Sequence, residues 1–191
     1  MDTISNPEEV LNLNAGSLSV DDKGIYFLGQ YTPYWIDHDA RIRNENFTAF
    51  SGLILDIKES KPNGILTLAS RLKSLINSGI PICIVPSSNP ERSDSGMMRL
   101  AKLLTQYGPL DATSCLQRTE KIPKLATGGD RDIETHLRTV QVVNPNLIRD
   151  KHVLLLDDVT TTGNSLLACK QLLLDAGAAD VTCLALSKTT R

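Results

Sequence analysis

The sequence predicts an α/β fold in which a mostly parallel sheet is flanked by helices. From Phe50 onward, short apolar segments of strand length alternate with longer segments of helical periodicity. Towards the C-terminus, the runs VLLL and VTCLAL are almost continuously apolar, which is typical of parallel strands covered on both faces. With 191 residues, 41% of them hydrophobic, the chain can build one sizeable core.

Residues 1–49 are predicted to form an N-terminal arm and a small cap, and residues 50–191 the α/β domain. Residues 1–23 are polar without a sustained period, so we expect a short helix or a loose arm there. Residues 24–38 hold three of the four tyrosines and the one tryptophan. This segment is interpreted as a cap packed on the core or, alternatively, as a lid that offers an aromatic face to a ring-shaped substrate.

Five elements are then predicted in the order strand, helix, strand, helix, strand. They cover SGLILDIK (51–58), ILTLASRLKSLINSG (65–79), PICIVP (81–86), MMRLAKLLTQYG (97–108) and DATSCLQR (111–118). The helix assignments rest on apolar residues that form one stripe along each helix. These residues are Ile65, Leu68, Leu72, Leu75 and Ile76 in the first helix and Leu100, Leu103 and Leu104 in the second.

Residues 118–136 interrupt this alternation. The segment contains Pro123, Gly128 and Gly129 and has no apolar stripe, which predicts a long mobile loop. Order resumes with LRTVQVV (137–143). A strand over KHVLLLDDV (151–159), a helix over about 164–176 and a last strand over DVTCLALS (180–187) complete the prediction.

The segment VLLLDDVTTTGNSL (153–166) carries the clearest chemical signal. Unpaired N–H groups and the positive end of the helix dipole make the turn Thr160–Ser165 an anion cradle. Gly163 lets the backbone approach a phosphate closely. The hydroxyl groups of Thr161, Thr162 and Ser165 can donate further hydrogen bonds, and Ser165 can also cap the helix.

Two carboxylates, Asp157 and Asp158, precede this cradle. Carboxylates are acceptors and suit the vicinal hydroxyls of a ribose, so acids beside an anion cradle indicate a sugar phosphate rather than a bare phosphate. The same pair could hold Mg²⁺, directly or through its waters.

The composition excludes several other classes. A net charge of −2 and 4% aromatic residues make direct nucleic-acid binding unexpected. No apolar run approaches the roughly 18 residues of a membrane span, and the acidic N-terminus is unlike a signal peptide, so we expect a cytoplasmic protein without membrane contact.

Neither a Walker A loop nor a G-x-G-x-x-G fingerprint occurs. The cysteines, Cys83, Cys115, Cys169 and Cys183, are expected to be reduced core residues.

The residues LLLDDVTTTGNS (154–165) resemble the phosphoribosyl pyrophosphate (PRPP) motif of type I phosphoribosyltransferases. From about Leu53 to Ser187, the chain more narrowly resembles the competence/DNA-utilisation (ComF-like) branch, through LDIKES, IVPSSNPER, RTEKIPKL and AGAADVTCLALSK. The zinc module often found at the front of that branch is absent. The resemblance implies the type I phosphoribosyltransferase fold and makes a homodimer plausible.

The resemblance also implies a Mg²⁺-dependent PRPP site. The acids would hold the ribose hydroxyls, the bend 160–165 the 5′-phosphate, and the turn 86–89 the pyrophosphate. The loop 118–136 takes the position of the catalytic flap, from which Lys121, Lys124 or Arg118 would add positive charge on closure. The candidate catalytic residues are Asp157, Asp158, Lys121 and Lys124, and the candidate metal ligands are Asp157 and Asp158. The candidate PRPP-binding residues are Asp157, Asp158, Thr160, Thr161, Thr162, Gly163, Asn164, Ser165, Ser87, Ser88, Asn89 and Arg92.

The leading functional prediction is transfer of a 5-phosphoribosyl group between PRPP and a nitrogenous base or amine, within nucleotide metabolism. The alternative is a regulatory protein that binds PRPP or a nucleotide without turnover, and a third hypothesis is a hydrolase or an accessory protein in DNA handling. Two departures from the branch support the alternative. Residues 95–98, Ser-Gly-Met-Met, stand where it usually has Arg-Gly followed closely by Asn-Gln, and Lys124 stands where its flap tends to carry Gln.

Overall fold

The computed structural model describes residues 7–37, 39–91, 94–122 and 132–189. Its strands, in chain order, are β1 (Ser19–Val20), β2 (Tyr26–Phe27), β3 (Gln30–Tyr31), β4 (Trp35–Asp37), β5 (Ile42–Arg43), β6 (Pro81–Ile84), β7 (Leu110–Asp111), β8 (Leu116–Arg118), β9 (Val140–Val142), β10 (His152–Thr160) and β11 (Asp180–Thr189). Its α-helices are α1 (Ala49–Lys58), α2 (Pro62–Leu72), α3 (Gly96–Thr105), α4 (Ile133–Thr139) and α5 (Asn164–Asp175). Short 3-10 turns cover Pro7–Glu9 and Pro145–Leu147.

A seven-stranded sheet forms the centre of the fold. The strand order across it is β1-β2-β11-β10-β6-β7, and β3 also pairs with β11. All of these pairs are parallel except β1 with β2. The long strands β10 and β11 stay paired from His152 opposite Asp180 to Thr160 opposite Lys188. The sheet confirms the predicted mostly parallel architecture.

Helices cover both faces of this sheet, as predicted. Along β10, Leu154 and Leu156 pack into a core shared with α1, α2 and α3, whereas Val153 and Leu155 pack into a core shared with α5. All four side chains are fully buried. Burial of both faces explains why the run VLLL has no polar alternation.

One expectation from composition agrees with the structure. The four cysteines are buried and unpaired, as expected for reduced core residues. Among the described residues, no helix combines the length and the apolar character that a membrane crossing requires.

The segment SGLILDIK forms helix α1, so the predicted strand is wrong. Thr48 caps this helix, because its hydroxyl accepts a hydrogen bond from the Ser51 N–H. Ser51, Ile54 and Ile57 are buried at intervals of three residues, which places them on one face. That face packs against α2 and α3. A short apolar run fits both periods, and here the cap and the packing determine the helix.

The other helices and strands predicted between residues 62 and 187 are present with shifted ends, except that the strand predicted over 111–118 is not continuous. Helix α2 ends at Leu72, and Leu75 and Ile76 stay buried beyond its end. The segment 111–118 is divided between the end of β7 and all of β8. Strand β8 leaves the main sheet and pairs antiparallel with β9.

Helix α4 lies largely within the segment that was predicted as a mobile loop. Asp132 caps it by accepting a hydrogen bond from the Thr135 N–H, and the helix buries His136 and Thr139. The prediction was wrong here because the buried face of α4 is polar and gives no apolar stripe. The rest of the predicted loop, residues 123–131, lies outside the described residues.

Residues of the predicted cap contribute strands to the sheet. Strands β2 and β3 pair with β11, next to the end of the chain. The ring of Tyr34, which precedes β4, contacts Trp35 of β4 and Phe47, which follows β5, edge to face at centroid distances of 4.7 and 5.0 Å. These residues therefore form a small aromatic cluster around Tyr34.

Candidate functional site

The candidate site lies at the carboxyl edge of the sheet, where β6 and β10 end side by side. Ile84 is the register partner of Leu156, and the Val85 N–H donates to the Leu156 carbonyl at 2.9 Å. The turn 86–89 therefore begins beside Asp157. In open parallel sheets, this edge is where ligands bind.

The bend 160–165 connects the end of β10 to the start of α5. Gly163 is the N-cap residue of α5 and has a φ of 81°, a left-handed conformation that favours glycine. A Cβ at this position would lie 2.6 Å from Ile25 Cδ1, so one side of the bend is closely packed. Two residues before Ile25, Lys23 donates a hydrogen bond from its Nζ to the Thr162 carbonyl in the bend at 2.6 Å. Residues 23–25 thus hold the backbone of the bend in place.

The polar side chains of the bend differ in their partners. Thr160 Oγ1 is buried and has no hydrogen-bond partner among the described residues. Thr161 is exposed and shares a hydrogen bond of 3.1 Å with the Thr189 hydroxyl, Thr162 is exposed, and Asn164 is half-buried. Buried hydroxyls are normally satisfied by protein, water or ligand. Thr160 therefore marks the bend as a place for a polar partner.

Asp157 is held by two hydrogen bonds. Its Oδ1 accepts from the Asp158 N–H at 2.9 Å, and its Oδ2 accepts from the Ser165 hydroxyl at 3.0 Å. Loss of hydration, followed by the charge of Asp158, raises the pKa of Asp157 to about 7. A cation or a hydrogen-bond donor placed beside this carboxyl would favour its charged form.

Asp158 forms an ion pair with Lys58 at the end of α1. The Lys58 Nζ lies 3.2 Å from Asp158 Oδ2, and the two side chains are 37% and 28% exposed. The Val159 N–H donates to Asp158 Oδ1 at 2.7 Å. Lys58 Nζ also lies 5.7 Å from the centre of the Tyr31 ring. Asp158 is thus oriented by protein contacts and remains partly accessible.

The two acids fit a Mg²⁺ ion that keeps several of its waters. Mg²⁺ prefers oxygen ligands and is usually held by one or two carboxylates together with substrate phosphates. Among the described residues, no group of three or more His, Cys, Asp or Glu side chains could hold a metal. A divalent cation here would also offset the repulsion from Asp158 that contributes to the raised pKa of Asp157.

Arg118 lies buried against the turn 86–89. Its side chain is 3% exposed, its Nε donates to the Ser87 carbonyl at 2.7 Å, and its Nη1 donates to the Thr139 hydroxyl at 2.6 Å. The expectation that Arg118 brings positive charge on a mobile flap is therefore wrong, because the guanidinium is already bound to buried protein groups.

The other residues predicted to contact the pyrophosphate lie around the turn 86–89 or outside the described residues. Ser87, Ser88 and Asn89 are half-buried, and the Asn89 N–H donates to Ser87 Oγ at 3.3 Å. Lys121 is exposed, and its neighbour Ile122 is buried and donates its N–H to the Ser88 carbonyl at 3.0 Å. Two predicted residues, Arg92 and Lys124, lie outside the described residues.

Two lysines beside the candidate acids and bend were missed by the sequence analysis. Lys23 lies in a polar segment without a period, so nothing indicated its contact with the bend. Lys58 belongs to LDIKES, which carries part of the resemblance, and its place there was the signal that could have identified it. Its contact with Asp158 joins residues 100 positions apart, which the sequence alone does not indicate.

Comparison with known families gives a match in the C-terminal half of the chain. Residues 116–189 match the family model described as phosphoribosyl transferase domain. The matched range spans less than half of the chain and contains both acids and the whole bend 160–165, but not the turn 86–89. The match supports the predicted enzyme class, phosphoribosyltransferase.

The chain is also similar to solved structures of three phosphoribosyltransferases. Adenine phosphoribosyltransferase from Leishmania tarentolae is 16% identical, with 88% of this chain and 79% of that chain covered and a TM-score of 0.45. The Leishmania donovani enzyme is 14% identical, with coverages of 90% and 75% and a TM-score of 0.45. Hypoxanthine phosphoribosyl transferase from Trypanosoma cruzi is 14% identical, with coverages of 75% and 70% and a TM-score of 0.35. No curated protein matches the sequence.

Proposed function

We propose that the protein is a phosphoribosyltransferase that moves a 5-phosphoribosyl group between PRPP and a nitrogenous base or amine. The observation that carries this proposal is the pairing of two acids with a glycine-bearing bend at a helix N-terminus, inside the matched range 116–189. A ribose 5-phosphate offers a diol to the acids and a phosphate to the N–H groups, so one ligand suits both halves of the site.

The bend is proposed to bind the 5′-phosphate. The dipole of the twelve-residue helix α5 and the N–H groups at its start favour an anion there. Thr160 Oγ1, which has no partner among the described residues, can donate to a phosphate oxygen. Gly163 supplies the left-handed backbone that this bend requires. Thr161, Thr162, Asn164 and Ser165 complete the proposed phosphate-binding set.

The acids are proposed to hold the sugar. Asp157 and Asp158 would accept hydrogen bonds from the ribose hydroxyls and would also be the ligands of Mg²⁺. When bound, Mg²⁺ neutralises part of the charge of the pyrophosphate. The turn 86–89, which begins beside Asp157, is proposed to hold that pyrophosphate.

This reaction depends on positioning and electrostatics and needs no covalent nucleophile. As pyrophosphate leaves the anomeric carbon, the ribose develops positive charge, which carboxylates fixed beside the ring stabilise. Lys121, exposed next to the turn 86–89, is proposed to add positive charge at the leaving pyrophosphate. We propose the same role for Lys124 and a binding role for Arg92.

A second candidate function is binding of PRPP or a nucleotide without turnover. The turn 86–89 contains no cationic side chain, and α3, the helix that follows it, begins with Gly96 and Met97, whose side chains offer an anion no charge and no hydrogen-bond donor. A site that binds the pyrophosphate group weakly would still bind the ligand through its ribose phosphate. The fraction of protein with ligand bound would then follow the ligand concentration.

The narrower proposals rest on the sequence resemblance. We place the chain nearest the ComF-like branch, with the α/β domain at residues 50–191, and we propose a homodimer that acts in cytoplasmic nucleotide metabolism.

Calorimetry and a pyrophosphate-release assay test these proposals. PRPP is titrated into the protein in the presence of Mg²⁺, and pyrophosphate release is then measured with a panel of purine and pyrimidine bases. A transferase binds PRPP and releases pyrophosphate with at least one base. Binding without release on any base favours the second candidate, and no PRPP binding contradicts both.

A further inference from the structure

A buried guanidinium group organises the turn 86–89. Arg118 Nε donates to the Ser87 carbonyl at 2.7 Å, and Nη2 donates to the Pro86 carbonyl at 3.5 Å. Helix α4 holds the same group from another direction, through the Thr139 hydroxyl at 2.6 Å and the His136 Nδ1 at 3.4 Å. A buried charge requires hydrogen-bond partners, and the planar fork of arginine serves several of them at once.

Fixing these carbonyl groups also fixes the neighbouring N–H groups. The C=O and N–H of a trans peptide point in opposite directions, and the described residues contain no cis peptide. The Pro86 carbonyl shares its peptide with the Ser87 N–H, and the Ser87 carbonyl shares its peptide with the Ser88 N–H. Both N–H groups therefore face the side of the turn opposite Arg118.

Among the described residues, the Ser87 and Ser88 N–H groups have no protein acceptor. The next N–H in the turn, that of Asn89, donates to Ser87 Oγ, and the Ser88 carbonyl accepts from Ile122. Within the described part of the chain, the N–H groups of Ser87 and Ser88 donate to no protein atom. Successive N–H groups that point the same way form a concave site for an anion.

We propose that Arg118 is the positioning residue of the pyrophosphate half of the site, an inference that rests on the proposed function. Arg118 does not touch the ligand. It holds the two carbonyls so that the Ser87 and Ser88 N–H groups face the pyrophosphate. Oriented backbone donors thereby replace the cationic side chain that the turn 86–89 lacks.

The variant Arg118→Lys tests this inference, because it keeps the charge and loses the fork that serves both carbonyls. We expect its affinity for inorganic pyrophosphate with Mg²⁺ to fall by about tenfold or more, whereas its affinity for ribose 5-phosphate, bound at the bend, changes by less than about twofold. Both affinities are measured by calorimetry. Arg149→Lys, at an exposed arginine before the start of β10, is the matched control and leaves both affinities unchanged.

A pyrophosphate affinity unchanged in Arg118→Lys would overturn the inference, and so would equal losses for both ligands, because equal losses indicate a general structural role. If the wild-type protein binds neither ligand, the proposed function fails and the inference fails with it. Titrating the wild-type protein with both ligands therefore distinguishes failure of the inference alone from failure of the proposed function.

A measurement on the wild-type protein covers the case in which the variant does not fold. During titration with pyrophosphate and Mg²⁺, the backbone amide resonances of Ser87 and Ser88 are followed by NMR. We expect both to shift in proportion to the fraction bound. If neither moves at saturation, the N–H groups do not face the ligand and the inference is overturned.

Discussion

Lys58 Nζ lies 3.2 Å from Asp158 Oδ2, and this ion pair connects helix α1 to the acids at the carboxyl edge of the sheet. Lost hydration and the charge of Asp158 raise the pKa of the neighbouring Asp157, and Lys58 opposes that rise. One lysine thus orients one candidate metal ligand and adjusts the charge state of the other.

Lys58→Met is expected to raise the midpoint of Asp157 ionisation further above its present value of about 7. The reason is that the variant loses the cation that favours the charged carboxyl. Because Lys58 is partly exposed, the increase is a fraction of a pH unit. A carboxyl-detected NMR titration of the free protein measures it.

Lys61→Met is the matched control for Lys58→Met. Lys61 lies three residues further along and pairs with Glu59 at 2.5 Å and Asp56 at 3.8 Å. We expect this variant to leave the Asp157 midpoint unchanged. Equal midpoints in Lys58→Met and the wild type would show that the ion pair does not influence Asp157.

Asp157→Asn is expected to change how the stability of the protein depends on pH. The pKa of Asp157 is about 7 in the folded chain, against an ordinary value of 3.8. Between these two pH values, the folded state therefore binds more protons than the unfolded state. Asp157 therefore destabilises the fold increasingly as the pH rises through that range. The free energy of unfolding of the variant, relative to the wild type, should rise from about pH 4 to about pH 7 and then level off.

Urea unfolding at a series of pH values measures this difference, with Asp111→Asn as the control. Loss of hydration raises the pKa of Asp111, but hydrogen bonds from Thr113 outweigh this effect and hold the pKa below its ordinary value. The contribution of the Asp111 carboxylate to stability is therefore lost only at more acidic pH. The Asp111→Asn difference should therefore stay flat between about pH 4 and pH 7. A flat difference for Asp157→Asn would mean that its pKa is not raised.

Gly163→Ala is expected to destabilise the protein by about 1–3 kcal/mol and to weaken ribose 5-phosphate binding. The left-handed backbone disfavours alanine, and the new Cβ would lie 2.6 Å from Ile25 Cδ1. Gly79→Ala is the control, since Gly79 has a φ of 79° and nothing within 4 Å of the added Cβ. It carries the backbone strain without the clash and should destabilise the protein less.

The double variant Gly163→Ala with Ile25→Val separates strain from clash. Ile25→Val removes the Cδ1 atom that the new Cβ would meet, so part of the lost stability should return relative to the sum of the single changes. Thermal unfolding of the four proteins gives this comparison. Strict additivity would show that the side of the bend near Ile25 adapts without cost.

The sequence predicts most of the sheet and the bend because their signals are local. The continuous apolar run of β10, the hydroxyl residues and Gly163 are adjacent in the chain, so strand, bend and helix α5 follow directly from their order. The segment 51–58 was assigned incorrectly because a short apolar run fits two periods, and a capping hydroxyl at Thr48 decided between them.

Contacts between distant segments account for what could not be predicted. Arg118 lies about 30 residues from the turn that it holds, and its burial depends on Thr139 and His136 of α4, a helix with no apolar stripe. Lys23 and Lys58 reach the candidate site only because their elements pack there. Tertiary packing determines these positions, and local patterns do not report it.

Calorimetric titration of PRPP with Mg²⁺ into the wild type and into the Asp157→Asn/Asp158→Asn double variant tests most directly whether the acids and the bend form one ribose-phosphate site. Circular dichroism verifies that both proteins are folded. We expect the wild type to bind PRPP and the folded double variant to lose at least about a hundredfold in affinity, because the ribose hydroxyls and Mg²⁺ lose their carboxylate partners. Equal affinities in the two proteins would contradict the assignment of the site.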